Sequence, residues 1–170
     1  MSSIANVHLP NHAGAATAPL RLAAFDADDV AVVSAHFQDA LVRASDMAWL
    51  PAAKRFALAA QRFDWPGAAS GRLQRRLAGL HVDHVTGVAS TGYAPGEAAT
   101  LLNILAISFE PGEAPAGHVR ITFSGGAALR LAVDCLEAGC GDLGPSWPAQ
   151  ACPGHGLSGT GHGLSQEVAP

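Results

Sequence analysis

His118-Val-Arg-Ile-Thr-Phe123-Ser-Gly-Gly-Ala-Ala-Leu129-Arg-Leu-Ala-Val133 is the stretch on which the fold class turns. Val119, Ile121 and Phe123 alternate with His118, Arg120 and Thr122, the period of a half-buried strand. Gly125-Gly126 turns the chain. Leu129, Leu131 and Val133 then repeat the alternation, with Arg130 on the opposite face. The segment predicts a β-hairpin with Phe123 and Leu131 turned to a core and Arg120 turned away.

Upstream, Leu102–Phe109 is apolar on both parities, as a central, covered strand is. The loop at 110–117 carries Pro111, Gly112, Pro115 and Gly117. Met47 and Trp49 alternate before Pro51, and Phe56 and Leu58 after Lys54, which predicts a second hairpin turning at 51–54. Parity then switches at Phe63 and Trp65, calling for a bulge near 60–62 or burial on both faces. Leu77–Ser90 reads as one long strand or a bent pair. Leu20–Phe25 is a short candidate first strand. Asp26 follows as a helix N-cap with Asp29 three residues on, and Val30, Val33, Phe37 and Leu41 recur at helical spacing. A helix is expected at about 27–40. A short terminal helix at 135–142 also fits, weakened by Gly139 and Gly141.

Strands joined by short loops, with so few helices, exclude repeated βαβ units. The expected class is α+β: one domain with a curved, mostly antiparallel sheet of six to seven strands. A pleckstrin-homology-like barrel is one such arrangement. The folded unit is expected at 20–147. Residues 1–19 and 148–170 hold three large aliphatics each and no membrane-length or core-length run, so both are expected as disordered tails.

Composition excludes several functions. The chain has 170 residues, 35 of them Ala and 19 Gly, and a net charge of −4. A mildly acidic surface argues against nucleic acid as a partner. Lys54 is the one lysine, and Ala53 before it rules out a phosphate-binding G-K-[ST] loop. No apolar run is long enough to span a bilayer. No signal peptide is visible, so Cys135, Cys140 and Cys152 are expected as reduced cytoplasmic thiols.

Among motifs, G-x-G-x-x-G occurs at 139–144 and 154–159, but neither copy joins a strand to a helix, so no dinucleotide site is expected. Cys135, Cys140, Cys152, His155 and His162 miss the paired spacing of structural zinc, so no metal and no cofactor are expected. Arg72, Arg75 and Arg76, with Arg62 upstream, form a local basic cluster suited to a phosphate or an acidic partner surface. His81 and Asp83 share a strand face and could form a general-base pair. Their i, i+2 spacing on a strand places them instead on a solvated face, outside the main pocket.

Five blocks bear a family resemblance: Phe25-Asp-Ala-Asp-Asp-Val-Ala-Val-Val-Ser-Ala-His-Phe-Gln-Asp-Ala40, Arg55-Phe-Ala-Leu58, Arg62-Phe-Asp-Trp65, Phe109-Glu-Pro-Gly-Glu-Ala-Pro-Ala-Gly117 and Asp142-Leu-Gly-Pro-Ser-Trp147. Together they resemble the bacterial domain of unknown function 2948 family. The resemblance implies a bacterial, cytoplasmic protein and carries no activity, cofactor or catalytic residue with it. The leading expectation is a non-enzymatic protein-interaction module whose partner is another protein or a second copy. The alternative is a small hydrolase or isomerase built on His81 and Asp83.

Overall fold

A computed structural model describes residues 18–153. The expected tails lie outside the described residues except for 18–19 and 148–153. Nine strands and one long helix follow one another as β1 (Arg21–Ala24), α1 (Ala27–Phe37), β2 (Leu41–Leu50), β3 (Arg55–Phe63), the single turn α2 (Trp65–Ala68), β4 (Gln74–Val82), β5 (Val85–Thr91), β6 (Leu101–Pro111), β7 (Gly117–Phe123), β8 (Ala128–Val133) and β9 (Ala138–Pro148). They pair in the order β1-β9-β4-β3-β2-β6-β7-β8-β5, and every pairing is antiparallel. The class is α+β as expected, but the sheet has nine strands, not six to seven. It is also not a closed barrel, because β1 and β5 remain as edges.

The 118–133 hairpin forms in the predicted register. Val119 faces Leu131, Ile121 faces Leu129 and Arg120 faces Arg130. Gly125 and Gly126 make the turn at φ of 76° and 81°, a region where a Cβ is costly. Phe123 and Leu131 are buried. The 47–58 hairpin also forms, its turn closed by Lys54 in the left-handed region.

Asp26 caps α1 by accepting the Asp29 N–H at 2.8 Å, and Asp29 accepts the Phe25 N–H at 2.9 Å. The first bond satisfies an orphan donor of the first turn, and the second ties Asp29 back to the residue before the cap. The helix stops at Phe37, short of the expected 40. Asp39 takes a positive φ and gives its N–H to the Ile104 carbonyl, so the chain has already joined the sheet. Val30, Val33 and Phe37 bury the apolar stripe.

The parity switch at 62–63 comes from burial on both faces. β3 stays in unbroken register with β4 from Phe56 to Phe63, and both Arg62 and Phe63 are buried. The bulge lies on β2 instead, between Val42 and Met47. The 77–90 segment is a bent pair, with its corner at His84. β6 is central in the sheet, yet Leu101 and Leu105 are exposed.

The expected helix at 135–142 is a strand. β9 inserts between β1 and β4, pairing on both sides. Its glycines explain the choice. A Cβ on Gly139 would sit 2.6 Å from the His81 ring, and one on Gly141 would sit 3.2 Å from the Leu20 carbonyl. Glycine there lets neighbouring groups lie directly on the backbone, while Ala138 and Cys140 point into the core.

Candidate functional site

The outer faces of β1, β9, β4, β3 and the distal half of β2 form one open groove of about 760 Å³. Two cross-strand rows make its floor. One runs Arg21, Gly141, Gly79, Ala59, and the other Ala23, Gly139, His81, Ala57, Ala48. Most of these residues carry a methyl or nothing, so the floor is smooth and apolar. Leu143 lies over Gly79, where a Cβ would meet its side chain at 3.3 Å. Phe25 and Leu143 stand at the rim, 64% and 61% exposed. Arg21 and Asp46 stand at opposite margins, and neither forms an ion pair among the described residues.

A buried charge cluster under this floor holds the strands together. On the inner face Arg62 makes a two-pronged bond to Asp142, at 2.6 Å and 2.8 Å, with both side chains out of water. Arg76 lies 3.8 Å from Asp64 and 3.9 Å from Asp142. Asp142 also accepts the Leu20 N–H at 2.8 Å, which ties the start of β1 to β9. Burial pushes the Asp142 carboxyl up, but Arg62, the Leu20 N–H and Arg76 outweigh it and hold the carboxyl below its ordinary range. Burial, then Arg62, lowers the His36 imidazole beside the cluster.

His81 lies on the groove floor, so the expectation that it sits outside the main concavity does not hold; Asp83 is not part of the lining. His81 Nε2 is 3.8 Å from Asp83 Oδ2, beyond hydrogen-bond length. Asp83 is engaged elsewhere, by Arg55 at 2.6 Å and 2.9 Å. That hydrogen-bonded guanidinium holds the Asp83 carboxyl below its ordinary range, which weakens it as a base.

The arginines at 72, 75 and 76 are separated rather than gathered. Arg76 points inward and is buried, whereas Arg75 points outward. Arg75 donates to the carbonyls of Gln61 and Asp39 at 2.9 Å and 3.3 Å and lies over the Phe63 ring. It lines a second cavity of about 470 Å³ with Trp147. Arg72 sits in the turn after α2, its N–H on the Gly67 carbonyl. Adjacent arginines on a strand necessarily part to opposite faces.

Among the described residues no three His, Cys, Asp or Glu side chains are grouped to hold a metal ion. His155 and His162 lie outside the described residues. Burial pushes the Cys140 thiol up to about 11, so it is a core group at neutral pH. Sequence reasoning passed over Asp64 and Asp142. Their signal was the parity switch itself, since a charged residue on the apolar parity of a strand must find a buried partner.

The family described as "Protein of unknown function (DUF2948)" matches residues 20–155, and the chain belongs to it. No curated protein and no solved structure matches it.

Proposed function

We propose that this DUF2948 chain is a non-enzymatic protein-interaction module of the bacterial cytoplasm and that its groove face pairs with a second copy of itself. The observation that carries the reading is the smooth apolar floor with Phe25 and Leu143 exposed at its rim. The choice of occupant rests on charge. Arg21 and Asp46 are at opposite margins of one face, so a two-fold axis through its centre sets Arg21 of each copy against Asp46 of the other. The three cysteines are free, in keeping with a reducing compartment. No helix among the described residues is long and apolar enough to cross a membrane.

Sedimentation of the full chain tests this. The expected result is a concentration-dependent dimer. Ala59→Arg, placed on the floor, should give a monomer whose melting temperature equals that of the wild-type chain diluted below its dimer range. Arg21→Asp should weaken the dimer, and adding Asp46→Arg should restore it. A wild-type chain that stays monomeric at about 100 μM would overturn the reading.

A further inference from the structure

The other half of the sheet carries a feature that pairing of copies does not use. Arg120 on β7 and Arg130 on β8 are directly opposite in the antiparallel register and share the outer face. Cβ atoms so placed are roughly 5 Å apart, and like charges there repel. Among the described residues the one ion pair that either makes is Arg130 with Glu110, at 4.0 Å. Two arginines on facing positions, with one carboxylate at the limit of ion-pair range, leave room for an added anion. A cavity of about 210 Å³ lies against them, walled by Ala89, Ser90 and Thr91 of β5.

The neighbouring strand indicates what brings the anion. β5 is an edge, and no strand pairs with its outer side among the described residues. Its sequence, Val85-Thr-Gly-Val-Ala-Ser-Thr91, has no charge and no proline to guard an open edge, and its bulge, between Val85 and Gly87, leaves 87–91 in regular register. Ala89 is directly opposite Arg130. Its methyl group leaves a clear path from an added strand across β5 to the guanidiniums. An added strand would lie roughly 10 Å from β8, two strand spacings, within the joint reach of a Glu and an Arg side chain. We infer that β5 accepts an extended acidic peptide, paired along its open edge, with a carboxylate held by Arg130 and Arg120.

The net charge of −4 sharpens the test, because a polyacid is repelled by the molecule as a whole. The probe is fluorescein-labelled hexaglutamate, titrated with the full chain at low salt, beside a hexaglutamine peptide. Hexaglutamate should bind, and hexaglutamine should bind far more weakly. Arg120→Gln with Arg130→Gln should weaken binding about tenfold or more, as for loss of charge-assisted bonds. Ala89→Glu, which supplies the carboxylate from within, should abolish binding without lowering the melting temperature. Arg21→Gln and Ala59→Arg, on the groove face, should leave it unchanged, so this site and the pairing of copies stand or fall separately. Equal binding by the double-glutamine variant, no binding of hexaglutamate, or full displacement by inorganic phosphate at the concentration of peptide would each overturn the inference.

Discussion

Gly117 shows how a single position can be decided by crowding rather than by backbone angles. A Cβ there would lie 2.5 Å from the Phe109 ring and 2.7 Å from the Glu110 carbonyl. The carbonyl belongs to a paired strand and cannot swing away. Gly117→Ala should therefore destabilise by about 2 kcal/mol or more, the range for overpacking, measured by urea unfolding. The nearest atoms that Gly139→Ala would meet belong to the half-exposed His81 ring, a movable side chain. That substitution should cost less, and His81→Ala in the same chain should recover the difference. Asp142 is the opposite case, a residue fixed by what it binds. Removing it strands Arg62 in a dry interior, and Asp142→Ala should cost roughly 3–5 kcal/mol, as for other broken buried pairs. Replacing both partners with apolar residues should cost less than either single change.

Among the elements, the β7–β8 hairpin gives the sharpest contrast between its two faces. Phe123→Ala should cost about 3–5 kcal/mol by the loss of a buried ring, which also packs edge-on to Tyr93. Arg120→Ala, on the outer face, should change stability by less than ~0.5 kcal/mol or raise it slightly, because it relieves the facing Arg130. A reversal of the two costs would mean a register slipped by one residue. This hairpin, the 47–58 hairpin and α1 were all legible in the sequence, because each announces itself locally: a period, a cap, a turn residue. β9 was not. Its Ala-Gly-Cys-Gly run lacks the large apolar residues that reveal a strand, and its pairing partners, β1 and β4, lie far away in sequence. The same locality limited the site. Arg62 was visible as a basic residue, but its partner Asp142 is 80 positions away. The groove is shared by strands from both ends of the chain, so no window of sequence contains it.

For the whole molecule, the buried charges set the response to acid. The folded Asp142 carboxyl lies below its ordinary range, so the unfolded chain takes up a proton first as pH falls. The stabilisation is thus complete above the ordinary carboxylate value of about 4 and drains away as pH drops through the folded value. Urea midpoints should begin to decline below about pH 6.5, where the unfolded chain takes up the His36 proton first, and fall steeply below about pH 4. Asp142→Asn should be less stable at neutral pH and show a shallower acid limb. An unaltered acid limb in that variant would place the acid sensitivity elsewhere.

The pairing of β1 with β9 brings the first and last strands side by side, with the Leu20 and Asp142 backbones bonded to each other at 3.0 Å. The order of elements along the chain is therefore separable from their order in space. A flexible linker from Pro153 back to Ala18 would make the polypeptide a ring, which could be cut afresh in the exposed loop at 112–116. Such a circular permutant keeps every strand pair, the groove and the β5 edge, and should fold to the same circular-dichroism spectrum. It should fold at a different rate, because β1 and β9, the most distant partners in the natural order, become consecutive strands.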